Sequence, residues 1–280
     1  MWHAIRGVNQ RAKDRVNRRA MRKNGQRSMK AAIAGVSEDV LELSLSKRLV
    51  RWLLALLLLP IGVITATALL SMGAGEMEAG SSYWMYLLKT KEFLYFSIGI
   101  LITAGWFYTG WLEDVFLYMY VLGHELTHAI FVVFCAGKVS GMQVRREGGY
   151  IITNKTNFLI ALSPYFVPFW SVIAFGLCWG LGLFWEIPYR EEGMYFLLGG
   201  GWLFHILWTI WMIPQDQPDL QENGTFFSVV FILLANVLVL ALLFCLALGG
   251  GAFKSFGLQW WEIAEKVVFT IKSLISRFIL

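Results

Sequence analysis

Charged residues are scarce in this sequence. Asp, Glu, Lys and Arg make up 15% of its 280 residues, whereas hydrophobic residues make up 57%. A soluble globular domain usually has roughly a quarter of its residues charged. The composition therefore excludes an ordinary soluble enzyme and predicts an integral, multi-pass membrane protein.

Cysteine is rare as well. The three cysteines, Cys135, Cys178 and Cys245, all lie in apolar runs. An odd number of cysteines in such surroundings argues against a disulfide framework and predicts that they serve as buried small hydrophobic side chains.

Acidic residues are nearly missing from the N-terminal region. Ten of the 24 Lys and Arg residues fall within residues 1–30, where Asp14 is the one acid. We expect residues 1–48 to form a basic extramembrane tail held near anionic lipid on the cytoplasmic side. Because no aromatic residues are interleaved as in a nucleic-acid-binding arm, no nucleic-acid partner is expected.

Long apolar runs occupy most of the remaining chain. An all-α polytopic membrane protein of about six transmembrane helices is predicted from these runs. Their approximate bounds are 49–72, 93–108, 111–136, 158–185, 194–213 and 226–248. We interpret residues 49–110 as two peripheral spans, 111–250 as the core, and 251–280 as an amphipathic C-terminal helix on the membrane surface. Residues 139–153 read as a β-hairpin, and a plain extramembrane connector is the alternative.

The third apolar run carries the pattern H-E-x-x-H at residues 124–128. On a helix, His124 and His128 lie one turn apart on the same face, where two imidazoles can bind one Zn²⁺. Glu125 is then placed to act as a general base toward zinc-bound water. Ionisable groups are costly in hydrocarbon and are read as functional by default.

A catalytic zinc site needs a third protein ligand. Asp219 and Asp216 follow the fifth apolar run in a Pro-interrupted stretch, and Asp219 is favoured. The alternative for Asp219 is an N-cap, with Glu222 at the third helical position. His205 could donate a hydrogen bond to the substrate oxyanion, bind the metal, or bond to Asp219. Asn236, in the sixth run, is expected to form an interhelical hydrogen bond.

Four stretches of the chain resemble the site-2 protease superfamily of intramembrane zinc metalloproteases, in its small bacterial branch without a PDZ domain. They are Gly-His-Glu-Leu-Thr-His at 123–128, the hairpin at 139–153, Leu-Ser-Pro-Tyr at 162–165 with Pro168, and Gln-Pro-Asp at 217–219. The resemblance implies a zinc site of His124, His128 and Asp219. It also implies a hairpin that presents an extended, membrane-anchored substrate, and a bacterial inner-membrane location.

Three other interpretations remain open. Prenyl-protein endopeptidases also carry H-E-x-x-H on membrane helices, with Glu as third ligand; here Glu186, Glu191, Glu192 or Glu222 would serve. A non-catalytic zinc protein would close the site with a fourth ligand such as His205. A transporter predicts repeat symmetry between halves, and H-E-x-x-H has no counterpart in the other half. Oligomeric state and substrate identity do not follow from the sequence.

The orientation of the chain gives conflicting expectations. Six spans that start from a cytoplasmic tail place the hairpin on the opposite side, whereas the resemblance places it on the cytoplasmic side. Both expectations hold if one of the first two runs does not cross, and the short run at 93–108 is the favoured exception.

Overall fold

A computed structural model describes five stretches of the chain, residues 45–74, 87–146, 148–214, 217–248 and 250–279. Within them the chain is mostly helical and contains one small antiparallel sheet. The predicted tail lies outside the described residues, except that residues 45–48 already belong to the first helix. The all-α class and the hairpin agree with the prediction.

The elements follow the predicted apolar runs closely. In chain order they are α1 (Leu45–Ala74), α2 (Lys91–Thr109), α3 (Glu113–Phe134), β1 (Val139–Arg145), β2 (Gly148–Thr153), α4 (Phe158–Leu162), α5 (Phe169–Gly182), α6 (Arg190–Met212), α7 (Pro218–Glu222), α8 (Thr225–Leu248) and α9 (Gly250–Ile279). A single 3-10 turn, Ser163–Tyr165, lies between α4 and α5.

Within the described residues, four helices are long and apolar enough to cross a membrane: α1, α3, α6 and α8. The segment of α4 and α5 makes a fifth candidate if the pair counts as one span bent by 78°. Six spans are therefore not confirmed. The second predicted run, now α2, is outside this set, so which side the hairpin faces stays a prediction.

Glycine lets α2 and α6 approach each other closely. A methyl group on Gly99 would overlap the backbone carbonyl of Phe196, and one on Gly199 would overlap that of Phe96. Small residues at such contacts are typical of helix pairs in membranes, where close van der Waals packing drives association. The packing ties α2 to the core although α2 falls outside the candidate spans.

Proline produces the break in the fourth predicted run. Pro164 lies within the 3-10 turn and Pro168 is the N-cap residue of α5. Neither can donate a backbone N–H, so a continuous helix through both positions would lose hydrogen bonds. The expected interruption is confirmed, and it brings irregular backbone beside α3.

Two clusters of buried hydrophobic side chains enclose the centre of the molecule. The first joins α1, the α4 region, α7 and α8, with Leu162, Tyr165 and Leu220 among its members. The second joins α3 and α6 through Tyr120 and Trp208. The polar groups described below lie between these clusters.

The C-terminal helix α9 packs on the outside of this core. The Ala252 side chain is buried against α1 and α8, and the Trp260 indole donates a hydrogen bond of 3.1 Å to the Thr65 hydroxyl of α1. Its predicted helical character is confirmed. Its position on a membrane surface stays a prediction.

Candidate metal centre

Helix α3 places His124 and His128 on one face, one turn apart. It begins with Glu113 and Asp114 in its first turn, where acidic side chains favour the positive end of the helix dipole. The two imidazole Nε2 atoms are 3.1 Å apart, and each side chain is 9% exposed. The two imidazoles therefore lie side by side, as the spacing of four residues predicts.

A broken helix orients the His128 ring. Its Nδ1 lies 2.8 Å from the carbonyl oxygen of Ile160, to which it can donate a hydrogen bond. In a regular helix this carbonyl would accept from the N–H four residues later, but that residue is Pro164, which has none. The carbonyl accepts a hydrogen bond of 2.9 Å from the Ser163 hydroxyl as well. Its contact with Nδ1 holds the His128 ring so that Nε2 faces His124, as an outer hydrogen bond does for a metal-binding histidine.

His124 has a weaker partner on its own helix. Its Nδ1 lies 3.4 Å from the Tyr120 hydroxyl, at the long end of the range for a hydrogen bond. The Tyr120 ring is in turn stacked on Trp208 of α6, with centroids 5.1 Å apart. The two histidines are therefore held differently. The backbone carbonyl of Ile160 fixes the His128 ring, whereas the packed Tyr120 side chain flanks the His124 ring.

Asp219 completes the group from the short helix α7. Its Oδ2 atom lies 3.5 Å from Nε2 of His124 and 3.5 Å from Nε2 of His128. The alternative of an N-cap role for Asp219 is wrong, because Gln217 is the N-cap and Pro218 occupies the first helical position. Burial alone would raise the pKa of the Asp219 carboxyl, but His124 and His128 hold it well below its usual range.

Several hydrogen bonds hold the short helix α7 in its place beside the two histidines. Arg51 of α1 donates a hydrogen bond of 2.5 Å to the Glu222 carbonyl, and the Ser228 hydroxyl donates to that of Leu220 at 3.1 Å. The Asn223 amide donates to the Asp219 carbonyl at 2.9 Å. Irregular backbone near a membrane interior needs such partners, because no lipid group can supply them.

The three side chains fit a divalent cation. One ligand atom from each of His124, His128 and Asp219 can be chosen so that all lie within 4.8 Å of one another. Ligand atoms about 2.0–2.1 Å from a tetrahedral zinc ion would be roughly 3.3–3.4 Å apart. The observed separations of 3.1 and 3.5 Å lie on either side of that value. Two imidazoles and one carboxylate also match the ligand types that zinc accepts.

Glu125 lies beside the cluster and under the hairpin. It is 6% exposed and lines a cavity of about 480 Å³, together with the three cluster residues. A methyl group on Gly149 of β2 would overlap the Glu125 side chain. The hairpin backbone is therefore packed directly against the proposed base.

The other sequence-predicted residues are placed differently. His205 is buried on α6 beside the Asn236 side chain and the Tyr165 backbone. It is neither in the three-residue cluster nor in the cavity lining as described, so a role for it in catalysis stays a prediction. Asp216 lies outside the described residues. Glu222 lines the cavity but is not part of the cluster.

Four contributors to the site were not assigned roles from the sequence: the Ile160 carbonyl, Tyr120, Tyr165 and Gly149. Tyr165 donates a hydrogen bond of 3.2 Å to Oδ2 of Asp219. The spacing of Ile160 and Pro164 holds a usable signal, because a proline four residues ahead frees a carbonyl. The contacts of Tyr165 and Gly149 depend on how distant segments pack, which no local pattern reports.

No family model, curated protein or solved structure matches this chain. A functional interpretation therefore depends on the geometry of the three-residue cluster, on Glu125 and on the cavity.

Proposed function

We propose that this protein is an intramembrane zinc metalloendopeptidase of the site-2 protease type. The observation that carries the proposal is the cluster of His124, His128 and Asp219, with Glu125 beside it in a shared cavity. Two histidines and one carboxylate leave a fourth coordination position for water, as catalytic zinc sites do. The location among helices that could cross a membrane supports chemistry at membrane depth.

Zinc bound by these residues would supply a Lewis acid for the scissile carbonyl and an activated water as nucleophile. Glu125 accepts the proton of the attacking water and delivers it to the nitrogen of the leaving amine. The Ile160 carbonyl and the Tyr120 hydroxyl orient the two imidazoles.

The substrate is a membrane-anchored peptide or protein in an extended conformation. A helix hides its backbone carbonyls in its own hydrogen bonds, so the segment to be cut must unwind before it enters the cavity. The hairpin of β1 and β2 borders this cavity through Gly149 and Tyr150 and offers backbone groups for pairing. We place the protein in a bacterial inner membrane, in contact with lipid and without a nucleic-acid partner.

A non-catalytic zinc-binding role is the second candidate. It calls for a closed site with four protein ligands. His205 was the fourth candidate, and in the described residues the cluster has three members and adjoins a cavity. This arrangement favours the open, hydrolytic site over the closed one.

The proposal is tested with Glu125→Gln in the full chain, purified and reconstituted into vesicles with Zn²⁺. A panel of synthetic single-span peptides serves as substrate, in isotopically labelled water so that hydrolysis marks the new carboxylate. We expect Glu125→Gln to keep its zinc and to lose about 10²–10⁴-fold in cleavage rate, the usual contribution of a general base. Glu113→Gln, at an exposed position in the first turn of the same helix, is the matched control and should cleave normally.

Two results would contradict the proposal. Cleavage by Glu125→Gln at the parent rate would remove the base from the mechanism. A parent protein that binds zinc but cuts no peptide of the panel would favour the non-catalytic role.

A further inference from the structure

We propose that Tyr165 is a positioning residue of the metal centre, whose hydroxyl aims the Asp219 carboxylate at the two histidines. The inference rests on the proposed metal site, but it does not depend on peptidase activity. It gives a function to the 3-10 turn that interrupts the fourth predicted span, because this turn contains Tyr165.

Tyr165 contacts two of the three proposed ligands. Its hydroxyl donates a hydrogen bond of 3.2 Å to Oδ2 of Asp219, the same oxygen that lies 3.5 Å from both Nε2 atoms. Its ring packs edge-on against His124, with centroids 5.3 Å apart and planes at 90°. One side chain therefore sets the carboxylate oxygen and one imidazole relative to each other.

Tyr165 is itself held firmly. It is 0% exposed and belongs to the buried cluster that contains Leu162 and Leu220. Its backbone carbonyl accepts a hydrogen bond of 2.9 Å from the Asn236 amide of α8. Since Tyr165 is also not among the described residues that line the cavity, its hydroxyl acts through Asp219 and not on a substrate.

Asp219 needs such a partner more than the histidines do. The histidines project from a long helix and are 9% exposed, whereas Asp219 is 27% exposed and projects from a helix of five residues. A more exposed carboxylate has more rotamers to lose when it binds a metal. A hydrogen bond that selects the binding rotamer in advance lowers this entropic cost, and outer partners of metal ligands typically contribute 10–100-fold in affinity or activity.

Tyr165→Phe tests the inference because it removes the hydroxyl and keeps the ring. The readout is the affinity of the full chain for Zn²⁺, measured by competition with a chelator, and the visible spectrum of the Co²⁺-loaded protein. We expect affinity to fall roughly 10–100-fold and the Co²⁺ spectrum to change, since the carboxylate is no longer fixed. Tyr195→Phe, at a half-buried position on α6, is the matched control and should keep the parent affinity.

A double-mutant cycle separates positioning from general damage. If the hydroxyl acts through Asp219, Tyr165→Phe should have no further effect on metal affinity in the Asp219→Ala background. Asn236→Ala removes the hydrogen bond to the Tyr165 carbonyl. It should lower Zn²⁺ affinity by less than Tyr165→Phe does, and only when Asp219 is present. This second variant serves if Tyr165→Phe does not fold.

The outcomes are distinguishable from those of the proposed function. Parent-like affinity in Tyr165→Phe, or an equal loss in both backgrounds, would overturn the inference and leave the metal centre intact. A parent protein that binds Zn²⁺ no better than Asp219→Ala would overturn the metal centre and the inference together. Loss of peptide cleavage alone, at unchanged Zn²⁺ affinity, would contradict the positioning role.

Discussion

The site is built from two kinds of structure, one regular helix and two broken segments. Helix α3 contributes His124, Glu125 and His128, all within five residues of one element. The broken segments, residues 157–169 and 217–224, contribute Asp219, the Ile160 carbonyl and the Tyr165 hydroxyl. The helix carries three functional groups within five residues, whereas the broken segments supply theirs from places some sixty residues apart.

The difference follows from how each segment uses its backbone. In α3 the carbonyls bond within the helix, so side chains alone are offered to the site. In the broken segments prolines leave carbonyls without helical partners, and unpaired polar backbone is costly inside a membrane. His128 and Ser163 donate to the Ile160 carbonyl, and Asn236 donates to the Tyr165 carbonyl. The broken backbone thus leaves carbonyls that need hydrogen-bond partners. The side chains that bond to them are thereby held in fixed positions at the site.

The largest effect is expected from removing the ligand that a broken segment supplies. Asp219→Ala should lower Zn²⁺ affinity by more than about 100-fold, beyond the range typical of outer partners, because a direct ligand is lost. Equilibrium dialysis with metal analysis gives the measurement. Asp216→Ala is the control, three residues earlier in the same stretch. If Asp216→Ala loses the zinc and Asp219→Ala keeps it, the assignment of the third ligand is reversed.

A smaller effect is expected when the first broken segment is made more regular. Pro164→Ala restores an N–H that can bond to the Ile160 carbonyl and compete with Nδ1 of His128. We expect Zn²⁺ affinity to fall about 10-fold, the lower end for an outer partner, because the new N–H can displace the Ser163 hydroxyl, which also bonds to this carbonyl at 2.9 Å, instead of the imidazole. Chelator competition measures the change.

Pro60→Ala is the control for Pro164→Ala, because it removes a helix proline outside the segment that contains the Ile160 carbonyl. Pro60 lies inside α1, at an exposed position away from the cluster. Its replacement should leave metal affinity at the parent value. Equal losses in both variants would mean that Pro164 acts through helix stability and not through the freed carbonyl.

The smallest change in metal binding is expected at the hairpin. Gly149→Ala places a methyl group on the Glu125 side chain, so Glu125 or β2 must move. Peptide cleavage should fall roughly 10–100-fold, as expected for a misplaced catalytic group, while Zn²⁺ affinity stays within about 3-fold of the parent.

Gly141→Ala is the matched control on the partner strand. The nearest atom to a methyl group there would be the flexible end of the Ile152 side chain, at 3.2 Å. It should leave both cleavage and metal affinity near the parent values. A loss of metal affinity in Gly149→Ala would show instead that the hairpin supports the ligands.

Much of the fold follows from local pattern. The apolar runs predict the helices within a few residues, and Gly-containing residues 139–153 predict the hairpin, because burial and turn chemistry act over short stretches of chain. The number of membrane spans is harder to predict from local pattern. Helix α2 has the length but is not among the candidate spans, and its glycine contacts with α6 depend on a helix some hundred residues later.

The sequence by itself determined the pair of imidazoles and their neighbouring carboxylate, because a helix converts a spacing of four residues into one shared face. It narrowed the third candidate ligand to Asp219 or Asp216 without deciding between them. Only the tertiary structure brought Asp219 within 3.5 Å of both histidines and set the Tyr165 hydroxyl on its carboxylate. The reason is physical: contacts between distant segments depend on the packing of the whole core, and the broken backbone that makes them has no periodic pattern to read.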